Sequence, residues 1–262
     1  MSSRSKNTDH RYNTVMSPVW REPFRVRIYE AEPSGRASVG ALCRYFQEAA
    51  DNHCRPHGLS LSQLHATGRT WVLTRLALRL TALPCLGEEV TVETWGSKRL
   101  RGARAYRDFR ILNASEQSFC EGSSLWLLLD VTSRRPMRLP DAILAVRHPE
   151  WSTPEPVDAT PLESPGPGSS EARLWVGWRD LDANGHANSV SYIEWALEAV
   201  PEHVRREKQL IRFDIQFINE AFLGQEIVCA VEQTGSADSY SYRHSLRVSG
   251  GDLLVLARSD WS

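Results

Sequence analysis

Apolar and polar residues alternate with period two over several stretches of the chain. Leu76, Leu78 and Leu80 interleave with Ala77 and Arg79, and Ile211, Phe213, Ile215 and Phe217 interleave with Arg212, Asp214 and Gln216. This period marks strands that bury one face. Strand-like stretches fall at about 70–81, 88–97, 104–113 and 118–130, and again at about 208–219, 225–235, 239–249 and 252–260. A helical stretch precedes each group of four. Ser38 is a candidate N-cap for a helix whose Leu42, Tyr45, Phe46 and Ala49 form one apolar stripe. Asn188 or Ser189 caps a second helix carrying Val190, Ile193, Leu197 and Val200, which Pro201 closes. Ahead of the first helix, Phe24, Val26 and Ile28 alternate with arginines as in a strand, and Gly35 marks a turn.

The two groups are copies of one unit. Laid over each other at an offset of 150 residues, Val26 meets Val176, Gly35 meets Gly185, Ala37 meets Ala187, Glu48 meets Glu198 and Ala49 meets Ala199. A long helix followed by an antiparallel meander buries its stripe by lying across the sheet, which is the hotdog arrangement. The expected fold class is therefore α+β, with two tandem hotdog domains, each a long helix wrapped by an antiparallel sheet. The expected layout is a flexible tail over 1–20, a first hotdog over 21–131, a linker over 132–170 and a second hotdog over 171–262. Pro161, Pro165, Gly166, Pro167 and Gly168 give the linker its character.

Composition narrows the function classes. The formal net charge of -1 with 24% charged residues leaves no polybasic character for nucleic acid, so a charged partner must be met by a local patch. The 5 cysteines, Cys43, Cys54, Cys85, Cys120 and Cys229, contain no C-x-x-C pair, which suggests a reducing compartment and no structural zinc. No apolar run approaches the roughly 18–20 residues of a membrane span. The expectation is a soluble, cytoplasmic protein without membrane insertion. An organellar transit peptide is also rich in Ser and Arg, but Asp9 and the shortness of the opening segment weigh against one.

The densest chemistry lies in Trp178–Val190, where Asp182, Asn184 and His186 stand two apart ahead of the second helix. In extended backbone, side chains at this spacing project to one side and can converge. Gly185 permits a positive φ, and a helix start offers N–H groups to a carbonyl developing negative charge. An Asx-turn with a surface histidine would explain the same residues without chemistry. The first copy favours a chemical role: the matching positions hold Glu32, Ser34 and Arg36, so the turn persists while the amide and imidazole are gone.

Asp182, Asn184, His186, Asn188, Tyr192, Trp195, Leu197, Glu198 and Pro201 together resemble the signature D-x-N-x-H-x-N-N-x-x-Y-x-x-W-x-L-E-x-x-P of plant and bacterial acyl-acyl carrier protein thioesterases. Ser189 departs from it, standing where the second of the paired asparagines would be. Trp71–Arg75 and Thr132–Pro136 also resemble family segments. The resemblance implies a thioester hydrolase that releases free fatty acid from acyl carrier protein, ending fatty acid synthesis; with no G-x-S-x-G elbow, Walker loop or dinucleotide fingerprint in the chain, no cofactor is expected. It implies a further catalytic carboxylate at Glu220, within Phe217–Ala221, alongside Asp182, Asn184 and His186. Many plant members carry a cysteine after that glutamate; Ala221 here excludes a cysteine nucleophile at that position. Cys229, inside a strand, is read as a small buried hydrophobe. Strict alternation from Ile211 places Glu220 opposite the apolar series, which a bulge near Asn219 would reverse.

Lys98, Arg99, Arg101, Arg104, Arg107 and Arg110 form the densest basic cluster. Lys98, Arg99, Arg101 and Arg104 are candidates for docking an acidic carrier protein, against the plain alternative of a solvated strand face. His53, Cys54 and His57 lack a completing carboxylate and are broken by Pro56 and Gly58, which argues against a metal site. A homodimer is an admissible assembly. Two other functions fit the same residues: a hotdog thioesterase acting on acyl-CoA, and a non-catalytic fatty-acyl-binding protein, which would bind acyl ligands without releasing thiol.

Overall fold

The computed structural model describes residues 18–148, 150, 157, 160–234 and 240–262, with the backbone alone at 98, 100 and 101. The tail expected over 1–20 therefore lies mostly outside the described residues, and its last residue, Trp20, already opens a strand. In chain order the first copy contains β1 (Trp20–Arg25), helix α1 (Val39–Cys54), a short α2 (Leu61–His65), β2 (Arg69–Leu80), β3 (Glu89–Arg101), β4 (Arg104–Leu112) and β5 (Ser118–Asp130). The second contains β6 (Ser170–Trp175), α3 (Ser189–Glu198), a short α4 (Glu202–Glu207), β7 (Leu210–Phe217), β8 (Glu226–Thr234), β9 (Tyr240–Val248) and β10 (Leu253–Trp261).

All ten strands form one antiparallel sheet in the order β1-β3-β4-β5-β2-β7-β10-β9-β8-β6. Each half repeats the same internal order, and the halves join edge to edge where β2 pairs β7, with Leu76 opposite Ile215 and Leu78 opposite Phe213. The long helices lie on the face these residues share. Leu42, Tyr45, Phe46 and Ala49 of α1 and Val190, Ile193 and Ala196 of α3 belong to one core cluster with Leu76, Leu78, Phe213 and Ile215. The helices run antiparallel, with Gln47 Nε2 donating to Ser189 Oγ (2.8 Å) and Arg44 paired to Glu194 (2.9 Å). Gly40 of α1 faces the Glu194 side chain, which would have to shift if a Cβ were added there.

Ser38 caps α1 by accepting from Ala41 N–H, and Asn188 caps α3 by accepting from Val190 N–H. Two local readings are corrected. Ile28 does not continue a strand: Glu30 accepts from Arg27 N–H and from the Tyr45 hydroxyl (2.6 Å), winding Ile28–Glu30 into a 3-10 turn that leaves Ile28 79% exposed. The strand expected over 208–219 ends at Phe217, where Ile218 and Asn219 N–H both donate to the Leu254 carbonyl. Two successive amides on one carbonyl make the bulge anticipated near Asn219.

The other face of the sheet carries a polar layer beneath the connection between the copies. Arg75 of β2 binds Asp214 of β7 through two hydrogen bonds (2.7 and 2.8 Å) and also donates to the Thr160 carbonyl. Arg99 donates to the Val157 carbonyl and to Ser123 Oγ. The connection is thus fastened down, and its Ile143, Val146 and Val157 are buried. The pair of buried Arg75 and partly buried Asp214 spans the joint, and removing the carboxylate strands the buried guanidinium. Asp214→Ala should lower unfolding free energy by about 3–5 kcal/mol, measured by urea denaturation.

His244 is fully buried on β9 beside Ser259 (2.8 Å), and burial pushes its pKa down from 6.5 to about 4. His53, packed against Trp20 and next to the Arg107 guanidinium, is pushed down to about 3, chiefly by burial. Between these values and 6.5 the unfolded chain binds protons that the native chain refuses, so stability is full above that range and falls on acidification. The slope should be about 1.4 kcal/mol per pH unit for each histidine. His244→Asn should flatten the dependence of the urea midpoint on pH through this window.

Candidate active site

The turn before α3 is built by Asp182. Its Oδ1 accepts from Asn184 N–H (2.8 Å) and His186 N–H (3.4 Å), its Oδ2 accepts from Asn184 Nδ2 (3.2 Å), and its own N–H donates to the His186 carbonyl (2.8 Å). Gly185, at φ +79°, makes the reversal at a backbone angle that residues with a Cβ rarely adopt. The segment is an Asx-type turn, not extended backbone, so Asp182, Asn184 and His186 are gathered by hydrogen bonds and not by strand projection.

Opposite this turn stands the loop 218–222. Ala187 N–H donates to the Ala221 carbonyl (2.9 Å), and the Ala221 N–H donates to Tyr192 Oη of α3 (2.6 Å). These bonds and the bulge at Asn219 bring Glu220 alongside the imidazole, with Glu220 Oε1 3.4 Å from His186 Nδ1. Phe222 packs edge-on against the same ring at 5.1 Å between centroids. Arg134, from the turn after β5, reaches the second carboxylate oxygen at 2.6 Å. Glu220 and His186 are both half-buried.

The same scaffold occurs in the first copy without these groups. Glu32 N–H donates to the Arg36 carbonyl (2.8 Å), Gly35 holds φ +74°, and Ala37 N–H donates to the Pro84 carbonyl (2.8 Å). In this register Pro84 matches Ala221, so Leu83 occupies the place of Glu220. Arg36 Nη1 donates to the Leu83 carbonyl (2.7 Å), where His186 meets a carboxylate.

Asp182, Asn184, His186 and Glu220 line a cavity of about 1420 Å³ whose wall also includes Trp71, Leu73, Ala105, Trp126, Leu129 and Ile143 of the first copy and the connection. That volume exceeds the roughly 300–1,000 Å³ usual for small ligands. The Val190 N–H, one of the first-turn donors of α3, is already taken by the Asn188 side chain. Cys229 is buried on β8, and desolvation pushes its thiol up to about 12, far from a reactive thiolate.

The basic cluster disperses in the structure. Arg107 turns inward to His53, Cys54 and Thr94, and Arg110 binds Glu93 and stacks over Trp95. Arg99 is tied to Val157 and Ser123 and lies over Tyr106, while Arg104 is exposed; the side chains of Lys98 and Arg101 lie outside the described residues. Arg134 was absent from the residues expected at the site. The signal for it lay in the family-like segment Thr132–Pro136.

Fold and site together define a double-hotdog protein with an acid–imidazole pair in the wall of a large cavity. Residues 17–146 match the acyl-ACP thioesterase N-terminal domain and residues 165–262 the acyl-ACP thioesterase C-terminal domain, so the chain belongs to the acyl-ACP thioesterase family. It is 27% identical over 260 residues to the chloroplastic palmitoyl-acyl carrier protein thioesterase of Cuphea hookeriana, covering 93% of this chain and 62% of that protein. It is 26% identical over 266 residues to the chloroplastic enzyme of the same description from Arabidopsis thaliana, covering 93% and 64%. The chain thus spans less than two thirds of these relatives' length. Among solved structures, an acyl-ACP thioesterase from Bacteroides thetaiotaomicron superposes with a TM-score of 0.84 at 21% identity, covering 94% of this chain and 98% of that one. The 12:0-ACP thioesterase from Umbellularia californica gives 0.81 at 22% identity, covering 94% and 98%. These two establish the shared fold.

The buried bond from Ala221 N–H to Tyr192 Oη holds the Glu220 loop onto α3. Tyr192→Phe leaves that amide without its acceptor and should cost about 1–3 kcal/mol of stability in urea unfolding.

Proposed function

We propose that the protein hydrolyses the thioester linking a fatty acyl chain to acyl carrier protein, releasing free fatty acid and so terminating chain growth. The observation that carries this reading is the contact of Glu220 with His186 in the wall of a cavity whose volume can hold an acyl chain. Family membership supplies the substrate class, and the first copy, lacking the amide, imidazole and carboxylate, serves as the wall of the acyl tunnel.

In the mechanism, His186 and Glu220 act as a coupled base that takes a proton from water as its oxygen attacks the carbonyl carbon. The C–S bond then breaks, and the departing thiolate receives the proton. Asn184 has one amide N–H turned to Asp182, leaving the other for the thioester oxygen. Asp182 is assigned to positioning: Oδ1 already accepts two backbone amides and Oδ2 orients Asn184, an arrangement that holds the carboxylate back from direct attack. No cofactor or metal enters this scheme. Arg104 is the exposed remainder of the basic patch and is proposed to meet the acidic carrier. The 5 unpaired cysteines fit a reducing compartment such as a bacterial cytoplasm.

The test is to incubate purified protein with acyl carrier proteins bearing chains of graded length, and with the matching acyl-CoAs, while measuring fatty acid and thiol released. Hydrolysis of the carrier-bound series in preference to the CoA series supports the proposal. The reverse preference indicates an acyl-CoA thioesterase, and saturable binding without thiol release indicates an acyl-binding protein. Glu220→Gln and His186→Ala should each lower kcat by about 10²-fold or more, whereas Cys229→Ala should leave it unchanged. Full turnover in both Glu220→Ala and Asp182→Ala would refute the residue assignments.

A further inference from the structure

We propose that Arg134, supplied by the first copy, is a positioning residue that fixes the Glu220 carboxylate for its work on His186. The inference rests on the hydrolase reading above. Glu220 divides its two oxygens, with Oε2 2.6 Å from Arg134 Nη2 and Oε1 3.4 Å from His186 Nδ1. Glu220 lies beyond the end of β7, where bonds of the neighbouring residues fix the loop backbone but leave the Glu220 side-chain rotamer open. A guanidinium on one oxygen selects the rotamer that turns the other toward the imidazole.

The turn that delivers Arg134 is built for that purpose. Arg134 holds φ +58°, one of two non-glycine residues with positive φ among the described residues. The conformation is over-determined by neighbours. Arg134 N–H donates to the Asp130 carbonyl (2.9 Å), Ser133 N–H to Asp130 Oδ1 (2.7 Å), Asp130 N–H to the Arg135 carbonyl (3.0 Å) and Val131 N–H to the Gly68 carbonyl (2.9 Å). Stability does not account for the arrangement: a half-exposed ion pair adds little, and left-handed backbone at a long side chain subtracts. What the turn gains is a cation carried across the joint between copies to a carboxylate 86 positions away in sequence. The second copy thus supplies the acid and the imidazole, and the first orients the acid.

Arg134→Gly makes a clean test, since glycine accepts the positive φ and only the guanidinium is lost. In steady-state assays with an acyl carrier protein substrate, Arg134→Gly should lower kcat about 10- to 100-fold, with KM changing less than about 2-fold. Arg134→Lys should recover part of kcat, and guanidinium chloride below denaturing concentrations should partly rescue Arg134→Gly but not Glu220→Gln. Arg135→Ala, which removes a neighbouring exposed charge, should behave as wild type. Unchanged kcat in Arg134→Gly, or a raised KM at full kcat, would overturn the proposal, the latter marking Arg134 as a docking residue. An inactive wild type would instead refute the hydrolase reading itself.

Discussion

The pairing of β2 with β7 is the constraint on which the remaining geometry rests. Each five-stranded half would leave one of these strands as a free edge, with unpaired N–H and C=O groups open to water. Their register, Arg75 opposite Gln216 through Arg79 opposite Arg212, merges the halves and fixes which strand ends meet. At one end of the joint, the starts of β2 and β10 and the ends of β5 and β7 converge, and Glu220 and Arg134 follow directly from the latter two. At the other, the ends of β2 and β10 meet the starts of β5 and β7, and the loop after β2 carries Leu83. The site is a product of the joint, because neither half alone contains both the carboxylate and the guanidinium that meets it.

The two faces of the joined sheet are stabilised differently. Toward the helices the contacts are apolar, with Leu76, Leu78, Phe213 and Ile215 beneath α1 and α3. On the other face Arg75, Asp214, Asp108, Ser123 and Arg99 form a polar layer roofed by residues 157 and 160 of the connection. Asp108 within this layer is fully buried, and desolvation raises its pKa from the ordinary aspartate value despite the hydrogen bond from Ser123. Period-two sequence made this possible, since alternate positions of β2 and β7 answer to different neighbours.

Much of this architecture was legible in the chain. Alternation at Leu76–Leu80 and Ile211–Phe217 located strands within a few residues, and Ser38 and Asn188 marked the helix starts because capping is local chemistry. The repeat located the candidate site by contrast, since Gly35 and Gly185 make the same turn while only the later copy keeps an amide and an imidazole. What sequence did not show depended on contacts far along the chain. Ile28 left its strand because Glu30 found Tyr45. The arginines from 99 to 110 looked like one patch until alternation and pairing sent Arg107 inward and Arg99 under the connection. Arg134 acquires meaning only from a positive φ and a partner in the other copy.

The asymmetry between the two turns also separates tasks that identical copies would have to share. In a symmetric pair, any substitution lining the groove would be entered twice and would sit beside a working acid and imidazole each time. Here one cavity is lined on one side by Trp71, Ala105 and Trp126 of the first copy and on the other by the second copy's turn. Substitutions on the first copy's wall can therefore reshape the cavity without touching the turn that holds Asn184 and His186.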